Sequence, residues 1–113
     1  MAALHELYDQ ADKLKAEGKH EEAIAIHQQI LEQDADYALS HHALGVLFGF
    51  VNQHDKAVEH GEKACEIEPN DPFSYTALSV IYVRAYQVTG DQRFIQMAED
   101  AKARSHTMSG HQH

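Results

Sequence analysis

Apolar residues recur every three or four positions along most of the chain, which is the spacing of one buried stripe on a helix. The first such stripe is formed by Leu4, Leu7, Ala11 and Leu14. Gly18 follows it and predicts the end of the helix, because glycine adopts the left-handed backbone of a helix cap without steric cost. Further stripes follow between short polar turns, and both prolines, Pro69 and Pro72, fall in one of these turns. The pattern therefore predicts helices throughout.

The helical pattern repeats with a period of 34 residues. This shift places Ala23 on Ala57 and His20 on His54, and it places Phe48 on Tyr82 in a third unit. A fixed period of this length is typical of stacked supersecondary units that bury their apolar faces against each other. It predicts one domain over residues 1–105, with repeats at about 4–37, 38–71 and 72–105. The third unit holds about six extra residues before its second helix, which predicts a longer helix or loop there.

The last residues, 106–113, are polar and show no periodicity. They predict a disordered tail rich in histidine, because such a segment has little apolar surface to bury.

Charge and cysteine content narrow the classes of partner and compartment. Acidic residues outnumber basic residues 18 to 9, and the net charge is −9. This excess argues against binding to nucleic-acid phosphates or to anionic membranes, and it favours an apolar or basic protein or peptide. A single cysteine, Cys65, cannot form an internal disulfide, and neither a signal peptide nor an apolar span is visible. These features predict a cytoplasmic protein.

Two sets of residues at equivalent positions resemble the tetratricopeptide repeat family. Each first helix carries a small residue followed three positions later by a large residue. The small residues are Ala11, Gly45 and Ser79, and the large residues are Leu14, Phe48 and Tyr82. Ala23 and Ala57 match the small residue of the second helix, and Pro69 matches the proline that ends a unit, whereas Gln10 departs from the usual apolar residue.

The resemblance implies an all-α fold of three tandem repeats, each a helix-turn-helix, with six antiparallel helices in a right-handed superhelical stack. In this family the first helices line a concave groove that takes a peptide or a helix. The register then implies the following groove residues: Tyr8, Asp12, His42, Val46, Phe50, Phe73, Thr76, Val80, Val83 and Arg84. The Lys and Asn clamp with which some members bind chaperone tails is missing here, which argues against that kind of adaptor.

These expectations favour a non-enzymatic interaction module, an adaptor or scaffold with an apolar concave groove. The alternative is a scaffold that associates with itself through the same surface. A less favoured alternative is a metal-handling protein, in which His106, Met108, His111 and His113 of the tail bind copper or nickel. No catalytic motif, metal site or cofactor site is predicted, since His20 and His27 stand two helical turns apart and Cys65 lies in an apolar stripe.

Overall fold

The structure, a computed structural model, describes residues 3–110 and forms six α-helices over this range. The helices are α1 (Leu4–Ala16), α2 (His20–Gln33), α3 (Ala38–Phe50), α4 (His54–Ile67), α5 (Pro72–Thr89) and α6 (Arg93–Gly110). Each helix packs against the next in the chain, and α5 contacts α3 as well as α4. This arrangement confirms the predicted all-α stack of tandem helical repeats.

Equivalent turns close the first helices of units one and two. Gly18 and Asn52 both have positive φ, at 80° and 62°. The next amide reaches back over the turn in each case: Lys19 N–H donates to Leu14 O at 2.9 Å, and Gln53 N–H donates to Phe48 O at 2.8 Å. This is the Schellman geometry that ends many helices, and asparagine takes the place of glycine in it because its short polar side chain tolerates this backbone.

The extra residues of the third unit lengthen its first helix, as one of the two predicted options required. α5 has 18 residues, whereas α1 and α3 have 13 each. Asp71 begins α5 by accepting a hydrogen bond from Phe73 N–H, and Pro72 occupies the first turn, where a missing amide proton has no cost. Gly90, with φ of 71°, ends it.

The prediction of a disordered tail is wrong for residues 106–110, which form the last part of α6. Ser105 on α6 donates a hydrogen bond from Oγ to the carbonyl oxygen of Pro72 at 2.9 Å, so this end of α6 is attached to the start of α5. Within α6 the first glycine is Gly110. No glycine or proline therefore ends this helix before that residue. Residues 111–113 lie outside the described residues.

Three helices, α3, α4 and α5, approach one another closely at Gly45, Gly61 and Ile81. A Cβ atom at Gly45 would lie 3.5 Å from the carbonyl oxygen of Ala57 on α4 and 2.7 Å from Cδ1 of Ile81 on α5. A Cβ atom at Gly61 would lie 2.7 Å from the same Cδ1 atom. Ile81 therefore fills a space that exists only because both neighbouring helices carry glycine at this point.

Substitution of Gly45 by alanine is expected to destabilise the protein by about 1–3 kcal/mol through overpacking, although alanine favours helix by about 1 kcal/mol. Gly49→Ala is the matched control, because its Cβ would meet only Nη1 of Arg84 at 3.9 Å. The control should be neutral or slightly stabilising. Urea denaturation of both variants measures the difference.

The same substitutions in an Ile81→Val background identify the cause. Valine lacks Cδ1, so the penalty for Gly45→Ala should shrink in that background. Equal effects of the Gly45 and Gly49 substitutions, or a penalty that the Ile81→Val background leaves unchanged, would contradict the packing described for Ile81.

Candidate functional site

The predicted groove residues of units two and three lie on neighbouring faces of α3 and α5. His42 on α3 contacts Phe73 on α5 edge to face, with ring centroids 5.2 Å apart. Further along the same helices, the Arg84 guanidinium lies 5.5 Å from the ring centroid of Phe50. Phe50, Phe73, Val80 and Val83 are exposed and Val46 is half-buried. An apolar surface with a cationic group beside it therefore runs along these two helices.

His42 lies in a cleft of about 450 Å³ whose other lining residues include Leu39, Ile67 and Phe73. Its Nε2 atom is 3.3 Å from the Ser74 hydroxyl, and its Nδ1 atom is buried without a hydrogen-bond partner among the described residues. Burial lowers the pKa of His42, although Glu68 and Asp71 oppose the shift. The Nδ1 atom is thus enclosed by the protein, and the lowered pKa favours the uncharged ring.

The groove residues of unit one are arranged differently. Tyr8 is half-buried, and its ring contacts His27 at 5.5 Å and Tyr37 at 6.5 Å between centroids. Burial, followed by the nearby charge of Asp12, raises the pKa of the Tyr8 phenol. Asp12 itself is exposed. Tyr8 thus contributes mainly to packing within unit one and against the turn that precedes α3, whereas Asp12 presents a negative charge to solvent.

A cleft with a volume of about 700 Å³ lies between α5 and α6. Four predicted groove residues of α5 line it, together with residues of α6 that were not predicted to belong to the groove. The α5 side consists of Thr76, Ser79, Val80, Val83, Arg84 and Gln87, and the α6 side consists of Ala98, Glu99, Lys102, Ser105 and His106.

A sequence signal for the α6 side exists in the spacing of its residues. Ala98, Lys102 and Ser105 have the same spacing as Ala57, Gly61 and Ala64 of α4. The insertion in unit three breaks the 34-residue register, which concealed this equivalence. The two sets of residues occupy corresponding faces of the second helices.

Several histidines form contacts between helices. His27 on α2 has Nδ1 3.0 Å from the Ser40 hydroxyl on α3. His41 on α3 has Nε2 2.8 Å from the carbonyl oxygen of Ala35 and Nδ1 3.0 Å from Nδ1 of His60 on α4. A carbonyl only accepts, so Nε2 of His41 carries the proton, and its Nδ1 atom then accepts from His60. Burial lowers the pKa of His27 to about 4 and also lowers the pKa of His60, which favours the uncharged form of these two rings.

Cys65, the single cysteine of the chain, is buried. Burial, followed by the charge of Glu62, raises the pKa of the Cys65 thiol to about 11, so the thiol is protonated and weakly nucleophilic at neutral pH. Within residues 3–110, no three side chains of His, Cys, Asp or Glu come together as a metal site. Over the same range, no helix has the length and apolar character needed to cross a membrane.

Stacked antiparallel helix pairs with an exposed surface along their first helices define a helical-repeat protein. The sequence profile of the tetratricopeptide repeat family matches residues 3–69, which is more than half of the chain. The chain therefore belongs to the tetratricopeptide repeat family. Proteins with this fold generally mediate protein–protein interactions and are generally not catalysts. No curated protein sequence matches the chain at a significant level.

Two solved structures share the fold at low sequence identity. The crystal structure of MamA is similar with a TM-score of 0.80 and 19% identity, over 96% of this chain and 59% of that chain. TTC0263, a thermophilic tetratricopeptide repeat protein of Thermus thermophilus, is similar with a TM-score of 0.81 and 17% identity, over 94% of this chain and 57% of that chain. The chain thus spans less than two thirds of the length of either structure. The likeness extends to the fold.

Acidification from pH 7 to pH 5 is expected to lower the free energy of unfolding by about 1–2 kcal/mol through His27 alone. Burial lowers the pKa of His27 to about 4, whereas an unfolded histidine titrates near 6.5. Between these values the unfolded chain binds more protons, so this stability is fully present above pH 6.5 and is lost as the pH falls toward 4.

Urea denaturation at several pH values measures this dependence. His27→Gln should flatten it, whereas substitution of the exposed His5 by Gln should leave it unchanged. The same pH slope in wild type and in the His27 variant would contradict the assignment.

Proposed function

We propose that this protein is a non-enzymatic interaction module, an adaptor or scaffold, that holds a peptide or helix of a partner protein against the first helices of its repeats. The groove residues proposed are those named from the register, with the strongest support for the members on α3 and α5. We further propose a cytoplasmic location, where a lone cysteine such as Cys65 stays reduced.

The observation that carries the proposal is the grouping of exposed apolar residues on α3 and α5. Phe50, Phe73, Val80 and Val83 are 44–62% exposed, and Val80 and Val83 border the 700 Å³ cleft. Single exposed apolar residues are ordinary, whereas a contiguous set beside a cleft is typical of a binding surface. The net charge of −9 favours a partner that is apolar or basic over most of its surface.

A second candidate function is self-association, because the same exposed valines could pair two copies of the chain. Light scattering coupled to size exclusion separates the two. A monomer of 12.7 kDa favours the adaptor, and a stable dimer favours the scaffold. The metal-handling alternative has less support, since only His106 and Met108 of its four ligands lie within the described residues.

Substitution of Val46 or Val80 by Glu is expected to abolish capture of partner proteins from an extract of the native host while the fold is retained. Both side chains are at least partly exposed, so the melting temperature should change little. Val88→Glu is the matched control, because Val88 is also an exposed valine of α5 but does not line the cleft. Affinity capture with mass spectrometry and thermal melting are measured on the same variants.

Three outcomes are distinguishable. Retained folding with a loss of the same captured proteins from both groove variants, but not from the Val88 variant, supports the groove. Loss of folding in both groove variants would mean that these valines belong to the core and that the binding surface lies elsewhere. Retained folding with unchanged capture would remove the groove proposal.

A further inference from the structure

We propose that the outer face of α5 and α6 holds an amphipathic α-helix of a partner protein, in the place that the first helix of a further repeat would take. This face, called the terminal face below, is formed by Thr76, Val80, Val83, Ala98, Lys102 and Ser105. The partner helix carries large apolar residues along one stripe and acidic residues beside it. The inference rests on the proposed function and specifies its occupant and one of its surfaces.

The first step is that the equivalent face one repeat earlier already holds a helix. α5 packs against α4 and α3. Its Ile81 reaches Gly45 and Gly61, and its Phe73 and Ser74 contact His42. In this fold, a pair of helices that no further helix covers therefore presents a surface on which one more helix can pack.

The second step is that the terminal face on α5 and α6 is equivalent to the surface of α3 and α4 on which α5 packs. On α5, Thr76, Ser79 and Val83 stand 34 residues after His42, Gly45 and Gly49. On α6, Ala98, Lys102 and Ser105 have the spacing of Ala57, Gly61 and Ala64. The cleft of about 700 Å³ lies along these residues. The surface that a next helix would cover thus coincides with this cleft.

The third step concerns the size of the apolar side chains in the occupant. Ser79 and Lys102 stand where the helices one repeat earlier have Gly45 and Gly61. A helix seated on the terminal face must therefore lie farther from α5 and α6 than α5 lies from α3 and α4. Large side chains such as Leu, Met or Phe are needed to fill the space above Val80, Val83 and Ala98.

The fourth step concerns charge. Arg84 and Lys102 border the cleft from opposite helices, and both are exposed. Neither forms an ion pair with any described residue. Glu99 is the single acidic residue of the lining, so the cleft is locally cationic in a chain of net charge −9. At contact distance these local charges act more strongly than the distant net charge, and they favour acidic residues beside the apolar stripe of the occupant.

The fifth step excludes a second copy stacked head to tail. The residues of α3 that pack against unit one include Ser40, Leu44 and Leu47, all buried. Their equivalents on α1, 34 residues earlier, are Glu6, Gln10 and Lys13, all exposed. The outer face of α1 is thus polar and carries no apolar stripe to fill the cleft of another copy. Among the described helices, the outer face of α1 is therefore polar, whereas the terminal face carries an apolar cleft.

The experiment uses synthetic helical probes and the full-length protein. The acidic probe has 18 residues, the length of α5, with Leu at helical i, i+3, i+4 and i+7 spacing and Glu on both flanks. A basic probe replaces each Glu by Lys, and an apolar control probe replaces each Leu by Ser. Fluorescence anisotropy should show binding of the acidic probe that is at least about tenfold tighter than binding of the basic probe, and no binding of the Ser probe.

Matched variants assign the binding to the terminal face. Val83→Glu should weaken binding of the acidic probe by about tenfold or more, whereas Val88→Glu on α5 and Ile95→Glu on α6 should leave it unchanged. Val88 and Ile95 are similarly exposed apolar residues outside the cleft lining. The double substitution of Arg84 and Lys102 by Glu should reverse the preference so that the basic probe binds better.

Four results would overturn the inference: no binding of the acidic probe, equal weakening by Val83→Glu and Val88→Glu, a probe preference unchanged by the charge reversal, or a wild-type dimer that Val83→Glu dissociates. The last result would mean that the face joins two copies of the chain. The proposed function is tested separately by capture of partner proteins. If the helical probe does not bind, capture that depends on Val46 still supports the proposed function.

Discussion

The crossing of three helices at Gly45 is the constraint on which the rest of the structure depends. Gly45 and Gly61 remove side chains from facing points of α3 and α4, and Ile81 of α5 fills the resulting space. This contact fixes both the distance between α3 and α4 and the position of α5 against them. Because Ile81 belongs to the same buried cluster as Leu44, Leu47 and Phe48, the core continues from unit two into unit three. His27 and His41 add hydrogen bonds between α2 and α3 and between α3 and α4, and the lowered pKa of His27 links the stability of the stack to pH.

The same constraint explains why the two ends of the stack differ. Each unit provides the surface on which the next helix packs, and no described helix covers this surface of α5 and α6. The outer side of unit one has no corresponding apolar surface, because it carries the exposed residues Glu6, Gln10 and Lys13. The last unit keeps Val80, Val83 and Ala98 at its open cleft. Binding of a helix to this surface would bury apolar area that is exposed in the free protein. This burial is the physical basis of the proposed interaction role.

Much of the fold was predictable because its determinants are local and periodic. The 34-residue shift, the turn residues Gly18 and Asn52, and the small residues at Ala11, Gly45 and Ser79 are all visible in the sequence. The end of α6 was not, since a hydrogen bond between Ser105 and Pro72, 33 residues apart, holds it. The contribution of α6 to the cleft was also missed, because the insertion in unit three disturbs the register. Tyr8 was placed in the groove by register alone, whereas its contacts with His27 and Tyr37 depend on side-chain directions that a repeat alignment does not contain.

The central claim is that the acidic helical probe binds the terminal face and not the polar outer face of α1. Nuclear magnetic resonance titration of the ¹⁵N-labelled protein with this probe tests the claim most directly. The account predicts that amide shifts change at Thr76, Val80, Val83, Lys102 and Ser105, while Glu6, Gln10 and Lys13 at the opposite end stay unperturbed. Perturbations centred on α1, or spread evenly over both ends, would contradict it.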